Sequence, residues 1–189
     1  MVELKIQKPV IVILDMAKGY GWQPGSYGYA MVAKIRRLKD LAYAAGVQVI
    51  HVNSMRRPTD NLGEAGRRMG PGSEGIEVIA ELQPVDRDIL IYKRYLSGFS
   101  HNDLDYTLRA MGCDCVIIAG ASTDNTVLWT AADAFQNRYR VVVLEDCTMV
   151  HRENADPDAQ RAVLRIVKDV LHSEVLTLDE AASAYLQPV

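Results

Sequence analysis

Four places in this chain carry polar or small residues where a short apolar run stops. Asp15 follows Val10-Ile-Val-Ile-Leu14, Lys93 follows Asp88-Ile-Leu-Ile-Tyr92, Gly120-Ala-Ser-Thr-Asp-Asn-Thr126 follows Cys115-Val-Ile-Ile-Ala119, and Asp146-Cys147 follows Arg140–Leu144. A carboxylate directly after five apolar residues is partly desolvated, which raises its pKa unless a cation lies close by. Lys93 is the candidate cation, and the two form either an acid/base pair or a structural ion pair at a sheet rim. The small residues Gly120, Ala121 and Ser122, with a helix start near Asp124, offer backbone amides to an oxyanion.

These positions are informative only if the runs are strands of one sheet. Pro9–Asp15 is apolar on both faces, as a central parallel strand is. Further strands are expected at Val47–Val52, Asp88–Tyr92, Cys115–Ala119 and Arg140–Leu144, with an edge strand at Ser173–Leu178. Helical spacing connects them. Met31, Ile35, Leu38, Ala42 and Ala45 form one stripe that Gly46 terminates, and Leu104, Leu108 and Met111 form another that Ser100 or Asn102 caps and Gly112 closes. A helix is expected over Asp124–Asn137, one with Ala159, Val163, Ile166 and Val170 on its buried stripe, and a short last one capped by Asp179. Strands alternating with helices imply right-handed crossovers, hence a three-layer α/β/α sandwich with a mostly parallel central sheet of about six strands. Residues 1–189 read as a single domain, and in such sheets ligands bind outside the carboxyl ends of the strands.

Composition narrows the partners. The 189 residues are 49% hydrophobic and 24% charged, with a net charge of -3. That is ordinary globular composition, without the basic field that nucleic acid or an anionic membrane requires. A small-molecule partner is expected. No apolar run reaches the roughly 20 residues of a membrane span, and the first residues lack a signal-peptide core. Cys113, Cys115 and Cys147 are odd in number and show no zinc spacing, which points to a reducing cytoplasm rather than a disulfide framework.

The segment from Asn53 to Gly75 breaks the alternation. Gly63, Gly66, Gly70, Gly72 and Gly75, two prolines, and Arg56, Arg57, Arg67 and Arg68 make a long connection that reads either as a solvated basic loop or as an anion-binding wall over the site. His51 lies inside an apolar run, as a hydrogen-bonded core histidine does. His101, His151 and His172 are scattered without ligand spacing, so no catalytic metal is expected, and no cofactor is expected either. Cys147 reads as a buried structural residue, with a relocated nucleophile as the alternative.

Taken together, Val-Ile-Leu-Asp15-Met, Tyr-Lys93-Arg-Tyr-Leu-Ser97-Gly-Phe99 with Asp103-Leu104, Gly120-Ala-Ser-Thr123-Asp-Asn-Thr126-Val127 with Thr130-Ala131 and Asp133-Ala134, and Val-Leu-Glu-Asp146 resemble the isochorismatase-like hydrolases, the cysteine hydrolase superfamily, in its N-carbamoylsarcosine amidase-like branch. Gly70-Pro-Gly-Ser73 and Glu81-Leu-Gln-Pro84 match the segment ahead of the lysine strand, so the resemblance spans nearly the whole chain. It implies Asp15 as the acid/base and Lys93 as its cationic partner. It further implies an oxyanion site from the backbone at Ala121, Ser122 and Thr126, with a cis bond at Ala121-Ser122. Substrate contacts are expected from Arg56, Arg57, Phe99 and Thr123, and a homo-oligomer, dimer or tetramer, is also implied. The metal ligands of nicotinamidase-type members are missing, because the second strand reads Val-Ile-His51-Val-Asn53-Ser54.

One position departs from the pattern. Where amide-cleaving members have a nucleophilic cysteine, this chain has Thr126, whose hydroxyl is far less acidic than a thiol and needs a base during attack. Three readings follow. The first is a metal-independent hydrolase of small amide, ureido or carbamoyl compounds with an altered Asp15-Lys93-Thr126 triad. The second is an isochorismatase-type vinyl-ether hydrolase with Asp15 as general acid, and the third a small-molecule-binding protein without turnover.

Overall fold

Six β-branched runs pair into one sheet because each presents apolar side chains to both faces and so must be covered on both. A computed structural model describes residues 8–26, 28–60, 68–151 and 158–187. The strands are β1 (Pro9–Leu14), β2 (Gln48–Ser54), β3 (Ile89–Lys93), β4 (Cys115–Ala121), β5 (Arg140–Met149) and β6 (Glu174–Leu176). They lie in the order β3-β2-β1-β4-β5-β6, and every pairing is parallel. The helices are α1 (Ala30–Ala44), α2 (Leu104–Ala110), α3 (Leu128–Gln136), α4 (Ala159–Asp169) and α5 (Leu178–Tyr185).

The period of two along each strand sorts the core into two layers. Ile11 and Ile13 of β1 pack under α1 and α5, beside Ile35, Leu38 and Ala181. Val10, Val12 and Leu14 point the other way, to Leu104 and Leu108 of α2, Ala131 and Ala134 of α3, and Leu164 and Val167 of α4. Each Val, Leu or Ile side chain so withdrawn from water stabilises the fold by roughly 1.5–3 kcal/mol. The sheet order reverses at β1, so a crevice opens between the carboxyl ends of β1 and β4.

Several local expectations change. β5 runs on to Met149 rather than stopping at Leu144, because a register shift between Ile118 and Gly120 lets Gly120 pair with Thr148 and Ala121 with Met149. Cys147 is therefore inside a strand. On α4 the buried residues are Leu164 and Val167, while Ile166 and Val170 are 43% and 63% exposed. The helix docks through a neighbouring stripe. Asp103 occupies the cap position of α2, with Asn102 Oδ1 accepting from the Leu104 amide. Thr177, not Asp179, caps α5 through a reciprocal box with Glu180. Gly63, Gly66 and Arg67 of the long connection lie outside the described residues.

Candidate active site

Asp15 is one residue past β1 at φ 53°, a left-handed conformation that short polar side chains tolerate. Its amide still donates to the Val52 carbonyl at 3.1 Å, so the turn is tied to β2. The carboxylate accepts from the Ser54 amide at Oδ1 (2.8 Å), and at Oδ2 from Lys93 Nζ (2.8 Å) and Thr126 Oγ1 (2.9 Å). Lys93 ends β3 opposite Ser54 in the parallel ladder and is fully buried. Its ammonium also donates to Ser54 Oγ and the Tyr95 carbonyl, each at 3.0 Å, with Thr126 Oγ1 at 3.4 Å. Burial pushes the Lys93 pKa down, and the Asp15 charge works against that shift.

The fourth turn supplies the third side chain. Gly120 has φ 111°, and a Cβ there would stand 2.1 Å from the Leu14 carbonyl oxygen, so only glycine lets β4 approach β1 this closely. The Ala121-Ser122 peptide is cis. Beyond it the chain makes one wide π-type turn, Thr123–Val127, before α3 begins, where the sequence predicts regular helix from Asp124. Such bulges re-aim side chains. Thr126 faces Asp15, while Thr123 is wholly buried with its hydroxyl unpartnered. Thr130 Oγ1 donates to the Thr126 carbonyl (2.6 Å) and accepts from the Gly98 amide (2.8 Å), which ties the segment after β3 to this turn.

A cleft of about 430 Å³ opens over Asp15 and Thr126, with Ala121, Ser122, Asp124 and Asn125 on one wall. Tyr20, Trp22, Arg56, Leu96, Trp129 and His151 make up the rest. Trp22 Nε1 donates to the Asp15 carbonyl at 3.2 Å, and its ring lies 4.0 Å from that of His151. His151 in turn donates its amide to Ser122 Oγ (2.9 Å), and Ser122 Oγ donates to Asp124 Oδ1 at 2.5 Å. Tyr20 and Ser54 share a hydrogen bond of 3.0 Å between their hydroxyls, and burial pushes the Tyr20 pKa up.

The structure thus brings together Asp15, Lys93, Thr126, Ala121, Ser122 and Arg56, and leaves three expected substrate contacts elsewhere. Arg57 is exposed, because its amide donates to Asp60 Oδ2 and opens the short turn Pro58–Asp60, which sends its side chain away from the cleft. Phe99 packs into the core under α2 and α3, with its ring 6.0 Å from that of Tyr139. Thr123 is turned into the interior. Arg56, by contrast, is half-buried on the cleft wall with Nη1 unpartnered.

The sequence motifs do not mark Tyr20, Trp22, Ser54, Trp129 or His151 as site residues, and His151 there is one of three scattered histidines. Tyr20 and Trp22 sit between Gly19, Gly21 and Gly25, where no periodicity marks them. Ser54 was readable as the end of β2 by the strand-end rule that found Asp15. His51 is a core residue, its Nε2 3.1 Å from Lys39 Nζ and 3.7 Å from Asp88 Oδ2. Cys147 is buried away from the cleft lining, with its thiol pushed up to about 12 by desolvation. Among the described residues, no group of three or more His, Cys, Asp or Glu is placed to hold a metal ion, and no helix is long and apolar enough to cross a membrane.

Residues 9–179 match the isochorismatase domain family model. The fold superposes with a TM-score of 0.80 on N-carbamoylsarcosine amidase from Thermoplasma acidophilum, at 31% identity over 92% of this chain and 98% of that one. The ureidoacrylate amidohydrolase RutB of Rhizobium rhizogenes is 28% identical over 88% of this chain and 80% of its own length. The maleamate amidohydrolase of Pseudomonas putida is 28% identical over 80% and 76%.

Proposed function

Because this chain belongs to the isochorismatase domain family, we propose that it is an amidohydrolase of small amide, ureido or carbamoyl compounds, working through Asp15, Lys93 and Thr126 without a metal. The observation that carries this reading is the 2.9 Å hydrogen bond from Thr126 Oγ1 to Asp15 Oδ2, at the floor of a cleft of molecular size. Relatives that act on carbamoylsarcosine, ureidoacrylate and maleamate support the substrate class.

In this proposal Asp15 is the base and Thr126 the nucleophile. A threonine hydroxyl does not ionise near neutral pH, so attack requires proton transfer to Asp15 as the Oγ–C bond forms. Lys93 holds the carboxylate on Thr126 and offsets its charge where both side chains are buried. The backbone amides of Ser122 and Thr126 take the carbonyl oxygen as it gains charge. Asp15 accepts hydrogen bonds on both oxygens, which suits a base better than the general acid of a vinyl-ether hydrolase. Arg56, with its unpartnered Nη1, holds a carboxylate on the substrate, since a guanidinium fork matches that group.

The test is ammonia release from a panel of carbamoyl amino acids, ureido acids and small amides by the wild type, Asp15→Asn and Thr126→Val. Release by the wild type that both variants lose supports the triad. Release that survives in Thr126→Val but not in Asp15→Asn makes water the nucleophile, and release that survives in Asp15→Asn overturns the site.

A further inference from the structure

The protons around Ser54 all find acceptors when Ser54 donates to Tyr20 rather than accepting from it. Ser54 is fully buried, and among the described residues its Oγ has two partners, Lys93 Nζ and Tyr20 Oη, each at 3.0 Å. An ammonium has no lone pair, so Ser54 must accept from Lys93. If Tyr20 also donated to Ser54, the serine proton would be buried without an acceptor, an arrangement that folded proteins avoid. The inventory closes when Ser54 donates to Tyr20. The Tyr20 hydroxyl is then free to donate to whatever occupies the cleft, which Tyr20 lines.

We propose that Lys93 Nζ, Ser54 Oγ and Tyr20 Oη form a proton path that ends at the leaving-group nitrogen of the substrate, a second route beside Asp15. This rests on the amidohydrolase reading above. As the C–N bond of the tetrahedral adduct breaks and its oxyanion closes to a carbonyl, the departing nitrogen takes the Tyr20 proton. Tyr20 takes the Ser54 proton, and Ser54 takes one from Lys93. The proton that Asp15 gained from the nucleophile then crosses 2.8 Å to Lys93 Nζ and restores the ion pair. Each hop within the protein is between atoms already in hydrogen-bond contact. Burial favours the neutral form of both ends, lowering the Lys93 pKa and raising that of Tyr20, so the lysine can give a proton and the phenol stays protonated between turnovers.

The kinetic test compares an alkyl amide with a p-nitrophenyl ester of the same acyl group, because nitrophenolate departs without a proton and an amine does not. Tyr20→Phe and Ser54→Ala are each expected to lower the amide-to-ester ratio of kcat by roughly 10²-fold, the usual contribution of a general acid. An unchanged ratio, with both substrates slowed alike or neither slowed, overturns the path and leaves Tyr20 a packing residue. A neutron structure of the wild type in heavy water tests the donor assignment without turnover. The Ser54 deuteron should lie toward Tyr20 and the Tyr20 deuteron toward the cleft; a Tyr20 deuteron lying on Ser54 overturns the proposal. A wild type that cleaves neither substrate counts against the amidohydrolase reading, while the neutron map still decides the orientation.

Discussion

Thr126 donates to Asp15 across 2.9 Å although 111 positions separate them in the chain, and the oxygen that accepts is the one that also takes Lys93 Nζ at 2.8 Å. A single carboxylate oxygen therefore joins the ends of β1 and β3 and the turn after β4. Any change at Asp15 acts on all three.

Asp15→Asn is expected to abolish turnover, with kcat down by at least roughly 10³-fold, since the base and the charge partner of Lys93 go together. It also leaves a buried ammonium without its counter-charge, and breaking such a pair costs about 3–5 kcal/mol. Ammonia release and thermal melting, measured on the same sample, separate the two effects. Full activity with an unchanged melting temperature would contradict both.

Thr126→Cys is expected to raise the amidase rate and to create a thiol that iodoacetamide modifies in the folded protein. Its sulfur would stand beside Lys93 in the cleft, where a nearby cation favours thiolate. The native cysteines serve as an internal control. Desolvation pushes Cys113 up to about 11 and Cys115 and Cys147 up to about 12. None should react at pH 8 until the protein unfolds, and Cys147→Ala should retain full activity.

Arg56→Ala should raise KM for carboxylate-bearing substrates by roughly 10- to 100-fold while leaving KM for neutral amides within about 3-fold, because a charge-assisted bond lost in ground and transition state alike appears in KM. Arg57→Ala should change neither. Steady-state kinetics on a matched acid and neutral amide decides the point.

Stability should fall below about pH 6.5, the unperturbed histidine value. Burial lowers the His51 pKa, with Lys39 at 3.1 Å and Asp88 at 3.7 Å as its charged neighbours. Below pH 6.5 the unfolded chain binds a proton that the folded chain refuses, so stability rises with pH up to that value and is lost on acidification. Asp88 adds to the loss at lower pH. Burial opposes its charge, but His51, the Tyr43 hydroxyl at 2.6 Å, the Val85 amide and Lys39 at 3.2 Å hold it well below the usual carboxylate range. Urea melts from pH 5 to 8 measure the slope, and His51→Asn should flatten its upper part.

The legible part of this protein rests on local rules. Runs such as Val10–Leu14 and Val116–Ala119 are too apolar for a half-exposed strand and alternate with helical stripes, so a covered parallel sheet follows, and with it the rule that chemistry sits at strand ends. Asp15, Lys93 and the Gly120–Thr126 turn follow from that rule. Features whose meaning depends on a partner are not legible locally. Ile166 and Val170 have the spacing of a buried stripe, yet α4 rotates them outward because Leu164 and Val167 meet the sheet first. Phe99 and Thr123 adjoin the right motifs, yet the tie from Gly98 to Thr130 and the wide turn at Thr123–Val127 turn them into the core.

Residue order specified the parallel sandwich, the strand ends and the acid/base types gathered there, because hydrophobic period and strand termination are properties of neighbours in the chain. Which atoms meet was settled by packing. That Thr126 faces Asp15, that Arg56 rather than Arg57 reaches the cleft, and that Tyr20 and Ser54 adjoin Lys93 all depend on contacts between residues tens of positions apart. Such contacts exist only once the sheet order and the turn after β4 have set their distances.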